Sequence, residues 1–95
     1  EPYIMSYIRD IVVRTRNDPQ ILVGGSPRAS IVLLETAKVH AAFSGRDYVT
    51  PDDVKALANH ALNHRLILKP EAELEGTSVN AVIDRILKQI SAPGA

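Results

Sequence analysis

The residues with the clearest chemical potential form the block Gly24–Ala29, which reads Gly-Gly-Ser-Pro-Arg-Ala. Pro27 fits the first position of a helix, so the block predicts a helix start with Arg28 in its first turn. The dipole of a helix start disfavours a cation there, whereas an anion such as phosphate would be attracted by both the dipole and the guanidinium. Local chemistry alone leaves an alternative open, in which Arg28 pairs with Glu35 or Asp10 or points into water.

A second candidate group consists of His60 and His64, whose spacing would let one helix face present both to a metal ion. The intervening residues lack the glutamate of a metalloprotease helix. The sequence indicates no third ligand, although His40 could lie nearby in space. Because zinc sites need three or four protein ligands, we expect the two histidines at the helix surface or its C-terminal end, and a metal-binding bundle is the weaker hypothesis.

Other charged residues are explained by their positions at predicted helix ends. Arg14 and Arg16 close the first helix, where the dipole favours cations, and Asp52 and Asp53 open the third, where it favours anions. No phosphate-binding loop, dinucleotide-binding turn or nucleophile elbow occurs in the sequence. The chain therefore contains no complete active site of its own.

The composition excludes several classes of protein. Eleven basic residues balance eleven acidic ones, which argues against a dedicated DNA-binding protein. The chain has no cysteine, so disulfides and thiolate metal sites are excluded. No apolar run approaches the roughly 20 residues needed to cross a membrane. No secretory signal precedes the amphipathic sequence that follows Glu1, so we expect a cytoplasmic protein without a membrane span.

Apolar spacing and end signals predict four helices that must position these groups. The first covers residues 2–16 and the second residues 27–44. The third begins at Pro51, and the fourth follows Thr77 or Ser78, either of which would cap it. This element pattern predicts an all-α, four-helix bundle-like domain.

The turn residues sharpen these boundaries. Ser26 is a suitable N-cap for the second helix, and Gly45 suits the position just after its end. Thr50, with Asp53 three residues later, resembles a capping box with Asp in place of the usual Glu. These signals fix the starts of the second and third helices more firmly than apolar spacing alone.

The second helix carries apolar residues around much of its circumference. The two stripes are Leu33, Leu34, Ala37 and Ala41, and beside them Val32, Val39 and Phe43. We therefore expect this helix to be the central and most buried one, with both stripes in the core.

The connecting segments complete the domain, which we predict to span residues 1–90. Residues 21–23 and 66–68 are apolar and short, so they are expected to be extended, and the sequence leaves open whether they pair as strands. Residues 71–76 are expected to form an acidic, exposed loop. Residues 91–95 are predicted to be a frayed tail.

Four sequence blocks occur in one order and spacing: Thr15-Arg16 with Pro19 after it, Gly24-Gly25-Ser26-Pro27-Arg28-Ala29, Gly45-Arg46-Asp47-Tyr48-Val49-Thr50-Pro51-Asp52-Asp53-Val54, and His64-Arg65. Together they resemble the C-terminal lid domain of a MoxR-type AAA+ ATPase, over nearly the whole chain. One departure is Gly25, where the family often has Ala, and this difference would loosen the loop while leaving the Arg in place.

The resemblance implies a role for Arg28. In that family the lid packs over ATP, with Mg, held by a larger α/β module, and the Arg of the Ser-Pro-Arg block is the sensor 2 residue that reaches the phosphates. Carried onto this sequence, that residue is Arg28. The chain alone would then be no enzyme, whereas its parent would hydrolyse ATP. The absence of an initiator Met agrees with a fragment of a longer protein.

The resemblance also implies partners. The lid would move as a rigid body against the α/β module of the same chain and pass that motion to neighbouring subunits of a hexameric ring. The expected function is chaperone-like remodelling or assembly of protein complexes, with von Willebrand factor A domain proteins as the usual partners. The alternative from another functional class is a stand-alone helical module that binds proteins or DNA.

Overall fold

The computed structural model describes residues 2–90. The elements follow in the order α1 (Pro2–Asn17), β1 (Ile21–Val23), α2 (Pro27–Phe43), α3 (Pro51–Leu62), a 3-10 turn (Asn63–Arg65), β2 (Ile67–Leu68), α4 (Pro70–Leu74) and α5 (Val79–Gln89). The predicted mostly helical, bundle-like fold is confirmed, with each of the four predicted helices present. The domain limits stay a prediction, and the predicted tail at 91–95 lies outside the described residues. Across residues 2–90, no helix combines the length and apolarity that crossing a membrane requires.

The core is built chiefly from aliphatic side chains of α1, α3 and α5. In α1 one stripe of residues is fully buried: Ile4, Tyr7, Ile8, Ile11, Val12 and Thr15. The buried side chains of α3 and α5 are Val54, Ala58, Ala61, Leu62, Val82, Ile83 and Ile86. Burial of these apolar side chains supplies the main stabilisation of a chain with so few aromatic residues.

The prediction that α2 is the most buried helix, with both apolar stripes in the core, is wrong. Its fully buried residues lie on one face, and most are alanines: Ala29, Leu33, Ala37 and Ala41. In the second stripe Val39 is 55% exposed and Phe43 is 88% exposed, whereas Val32 is partly buried against the core. Small side chains let α1 and α3 approach α2 closely on its inner face, and no element within residues 2–90 covers the outer face.

The two short extended segments pair as antiparallel strands, which answers the question that the sequence left open. Ile21 lies opposite Leu68 and Val23 opposite Ile67, with an irregularity in register between them. The backbone N–H of Lys69 donates to the carbonyl of Gln20 at 2.9 Å and extends the ladder. This small sheet ties the segment after α1 to the segment after α3.

The acidic segment predicted as an exposed loop contains a short helix. Pro70 occupies the first helical position of α4, and Ala72 is buried against the core. Gly76 has a φ of +84° and follows the helix, where the amide of Thr77 donates back to Ala72. Proline at the first position of a helix and glycine just after its end are ordinary helix signals. The acidic composition of residues 71–76 had instead indicated an exposed loop.

Candidate functional site

The loop that leads into α2 is held by the end of α1. The buried hydroxyl of Thr15 accepts the N–H of Gly25 at 2.9 Å and donates to the carbonyl of Val12. Gly25 is itself buried, with Val12 and Ala29 on either side of its Cα. A buried backbone N–H needs a partner, so the Thr15 hydroxyl fixes the path of the chain just before Arg28.

Arg16 and Gly24 complete this connection. The Arg16 guanidinium donates through Nε to the Gly25 carbonyl. A Cβ on Gly24 would lie 2.6 Å from the Arg16 Cα, so the two backbones touch and only glycine fits. The sequence had explained Arg14 and Arg16 by the helix dipole alone, whereas each also makes a specific tertiary contact, Arg14 to the side chain of Gln89.

Arg28 lies at the exposed start of α2. The backbone of Ser26 has the conformation of an N-cap, but its hydroxyl accepts no hydrogen bond from the first turn. The N–H of Ala29 donates to the Ser26 carbonyl at 2.9 Å instead. Within residues 2–90 the Arg28 guanidinium pairs with neither Glu35 nor Asp10, and the carboxylate of Glu35 lies 3.8 Å from Lys38. The helix start therefore presents an exposed cation beside an uncapped first turn.

A buried carboxylate organises the other end of the α2–α3 hairpin. The predicted capping box is confirmed: Asp53 accepts the Thr50 N–H at 2.8 Å while the Thr50 hydroxyl accepts the Asp53 N–H. The same carboxylate also accepts hydrogen bonds from His40 Nδ1, at 2.7 Å, and from Arg46. Sequence analysis did not foresee these two contacts, because His40 and Arg46 are distant from Asp53 along the chain and approach it only when the hairpin closes.

The hydrogen bonds to Asp53 control its protonation. Burial by itself raises the pKa of a carboxyl group. In Asp53 this effect is outweighed by donors from Thr50, His40 and Arg46, and together they lower the pKa to about 2. The carboxylate is therefore charged at neutral pH and acts as a structural anchor for the loop between α2 and α3.

A second buried carboxylate joins the end of α1 to α5. Asp18 accepts a hydrogen bond from the Arg85 guanidinium at 2.8 Å and from the Gln20 N–H at 2.9 Å. Burial opposes ionisation of Asp18, but these donors and the charge of Arg85 outweigh it and lower the pKa of Asp18. The Arg85 pKa is raised in turn, chiefly by its hydrogen bond to Asp18.

The histidines do not assemble a metal centre within residues 2–90. His60 lies on α3 and His64 on the 3-10 turn, both exposed, as predicted for residues at the helix surface and end. His40 is bound to Asp53. In that part of the chain, no group of three or more His, Asp or Glu side chains could hold a metal ion.

Comparison with known proteins agrees with this architecture. The AAA lid domain family matches residues 13–86, which include the α1–α2 connection, Arg28 and the Asp53 anchor. The chain belongs to the AAA lid domain family. Its relatives assign it more narrowly to the lids of MoxR-type AAA+ ATPases.

Three relatives illustrate this assignment of the lid. The uncharacterized protein YeaC of Bacillus subtilis is 42% identical over 95% of the chain, and the chaperone MoxR1 of Mycobacterium tuberculosis is 33% identical over 95%. The crystal structure of an inferred ATPase from Cytophaga hutchinsonii superposes with a TM-score of 0.91 at 40% identity and covers 97% of the chain. The lid spans 28%, 26% and 31% of these proteins, respectively.

A further relative shows the breadth of this lid family. The magnesium-chelatase subunit ChlI of Guillardia theta is 39% identical over 66% of the chain, which spans 18% of that protein. About two thirds of the lid therefore has a similar sequence in a protein that bears a different name.

One part of the lid that sequence analysis left without a role is a depression between α2 and the end of α3. It has a volume of about 420 Å³ and is lined by Val32, Thr36, His60, Ala61, His64 and Arg65. Arg65 had been noted only as part of a family block, and His64 also as a candidate metal ligand. The sequence signal for the position of these two residues is the pair of short apolar segments 21–23 and 66–68. When these segments pair as strands, the residues before Ile67 lie towards the loop after Val23.

Proposed function

We propose that this lid closes over ATP held by an α/β ATPase module of its parent protein, and that Arg28 is the sensor 2 residue that reaches the phosphates. The observation that carries the proposal is the exposed Arg28 guanidinium, which has no carboxylate partner within residues 2–90. The dipole at a helix start disfavours a cation such as the Arg28 side chain. A bound anion such as phosphate interacts favourably with both the dipole and the cation.

The residues at the start of α2 fit a phosphate group. Because the Ser26 hydroxyl accepts no first-turn N–H, both the hydroxyl and the Arg28 N–H remain free to donate to phosphate oxygens. The guanidinium adds a planar pair of donors suited to the same oxygens. No group of acidic or histidine ligands within residues 2–90 could hold Mg, so the ligands of the metal are expected in the α/β module.

The lid also holds Arg28 rigidly with respect to its core. Thr15 and Arg16 bind Gly25 directly, and Gly24 packs against the backbone of α1 without space for a side chain. A change in what Arg28 contacts would therefore move α1 and α2 together rather than bend the loop alone. This mechanical link supports a lid that rotates as a rigid body.

The parent protein is proposed to be an ATP hydrolase that uses ATP with Mg. Hydrolysis of the phosphoanhydride bond would supply the free energy for its work. The relative MoxR1 is named a chaperone, and this name supports a chaperone-like role in remodelling or assembling protein complexes. A hexameric ring, contacts with neighbouring subunits, von Willebrand factor A domain partners and a cytoplasmic location belong to the same proposal. The lid alone is proposed to be inactive.

The test is Arg28→Ala in the full-length parent, with Arg9→Ala as a matched control, because Arg9 is an exposed arginine on α1. Loss of a charge-stabilising donor typically lowers turnover by about 100-fold or more. We expect such a loss for Arg28→Ala, an unchanged melting temperature, and near-normal turnover for Arg9→Ala. Normal ATP turnover by Arg28→Ala would refute the sensor 2 role.

A further inference from the structure

We propose that Arg65 is a second cation directed at the phosphate chain, so that the lid binds the nucleotide with two arginines, Arg28 and Arg65. The inference rests on the proposed function and adds a residue to it. Arg65 ends the 3-10 turn after α3, is exposed, and forms no ion pair within residues 2–90. Its location relative to Arg28 follows from two independent parts of the fold.

The helix pair gives the first relationship. The depression described above is lined by Val32 and Thr36 from the middle of α2 and by His64 and Arg65 from beyond the end of α3. The middle of α2 therefore lies beside the end of α3. Arg28 precedes Val32 by four residues, so its side chain lies on the same face of α2 and one turn closer to the helix start. The lining on α2 begins at Val32, so Arg28 lies one helical turn beyond it on the helix face that Val32 and Thr36 share.

The small sheet gives the second relationship. Val23 of β1 lies opposite Ile67 of β2 in an antiparallel ladder. In such a ladder the residues after Val23 approach those before Ile67, so the Gly24–Ser26 loop runs towards Leu66 and Arg65. Leu66 is buried and anchors this approach, whereas Arg65 stays exposed. The loop that precedes Arg28 and the residues that precede β2 therefore leave the sheet at the same end.

The charge of the residues that line the depression favours an extended anion such as a triphosphate. Its lining has no carboxylate, and its polar side chains are Thr36, His60, His64 and Arg65. Arg65 therefore brings a positive charge to the lining that no lining carboxylate balances. A triphosphate spreads its charge over several groups and can engage two separated guanidinium groups, whereas one carboxylate side chain cannot.

The experiment measures nucleotide binding by the full-length parent. A non-hydrolysable ATP analogue and AMP are titrated into the wild type, Arg65→Ala, Arg65→Lys, Arg28→Ala and the control Arg9→Ala. We expect Arg65→Ala to raise the Kd of the ATP analogue roughly tenfold, as for a lost hydrogen bond between charged groups. The Kd of AMP should change less than about twofold, because AMP lacks the β- and γ-phosphates.

Two further readouts separate a contact with phosphate from a structural role. Arg65→Lys should keep part of the affinity, and Arg65→Ala should reduce the dependence of the Kd on salt concentration, since one cation is removed from the contact. The same melting temperature for Arg65→Ala and wild type would exclude unfolding as the cause. Equal losses for the ATP analogue and AMP would overturn the inference.

The outcomes also distinguish this inference from the proposed function. If Arg28→Ala weakens binding of the ATP analogue and Arg65→Ala does not, the second cation is refuted and the sensor 2 proposal stands. If neither variant weakens binding, both fail. If Arg65→Ala leaves nucleotide affinity unchanged but dissociates the assembled parent, Arg65 binds a neighbouring protein surface and the inference is again refuted.

Discussion

The hydroxyl of Thr15 lies 2.9 Å from the backbone nitrogen of Gly25 and accepts its hydrogen bond in the buried interior. Thr15 belongs to the last turns of α1, and Gly25 lies two residues before the start of α2. One side chain therefore joins the helix that forms much of the core to the loop that leads to Arg28. Substitutions of Thr15 therefore test whether the core positions the loop before Arg28.

Replacing Thr15 with Val keeps the side-chain volume but removes the acceptor. The N–H of Gly25 would then be buried without a partner, which typically costs about 1–3 kcal/mol. Urea unfolding of the 95-residue chain measures this change. Thr15→Ser retains the hydroxyl and should destabilise less than Thr15→Val, so a greater loss with Ser than with Val would show that the methyl packing matters more than the hydrogen bond.

Gly24 is the position at which a side chain cannot be accommodated. An added Cβ would lie 2.6 Å from both the Cα and the nitrogen of Arg16, which are backbone atoms that cannot rotate away. We expect Gly24→Ala to lower the free energy of unfolding by about 2 kcal/mol or more.

Gly25→Ala is the matched control for that change. Its Cβ would lie 3.2 Å from side-chain atoms of Ala29 and Val12, a milder overlap that a shift of a few tenths of an ångström would relieve. We expect a change in unfolding free energy within about 1 kcal/mol. The steric explanation would be wrong if the two alanine variants unfolded at the same urea concentration.

The Asp53 anchor predicts a loss of stability in acid. The pKa of Asp53 is about 2 in the fold, against an ordinary value of 3.8, so the folded state favours the carboxylate. The stabilisation is complete above the unfolded pKa and is lost as pH falls from about 5 towards 2. Its size is about 2 kcal/mol for this residue. Asp18 contributes in the same direction, because its pKa is also lowered.

Urea midpoints measured from pH 7 to pH 2 test this expectation. Asp53→Asn removes the titrating group and should flatten the acid limb of the curve while lowering stability at pH 7. The control is Asp84→Asn, since Asp84 is exposed and bonds only to the side chain of Asn59 within residues 2–90. An unchanged acid limb in Asp53→Asn would assign the pH dependence to other carboxylates.

The one-sided burial of α2 predicts unequal effects of substitutions on its two faces. Leu33 is fully buried, and Leu33→Ala should destabilise the chain by about 2–5 kcal/mol because it leaves a cavity. Phe43 is 88% exposed, so Phe43→Ser should change stability by no more than about 0.5 kcal/mol. Thermal unfolding of the two variants measures both effects. Similar decreases in melting temperature for Leu33→Ala and Phe43→Ser would mean that Phe43 packs against the core.

The sequence by itself determined the long helices and their ends. Apolar spacing in α1, α3 and α5 and the end signals Pro27, Gly45, Thr50 and Pro51 are local patterns, and local backbone geometry follows from them. It also identified the Thr50–Asp53 capping box, because both partners lie within one helical turn. The family blocks further indicated the lid assignment and directed attention to Arg28 before any contact was known.

The tertiary structure alone decided which faces are covered and which distant residues meet. The apolar stripe of α2 could not reveal that no element within residues 2–90 covers Val39 and Phe43. An apolar pattern shows that a helix face can be buried but not which element packs against it. The contacts of Thr15 with Gly25 and of His40 with Asp53 depend on how helices cross, which no local spacing encodes. The pairing of β1 with β2 likewise joins segments far apart in the chain, and such hydrogen bonds form only when the whole fold brings the segments together.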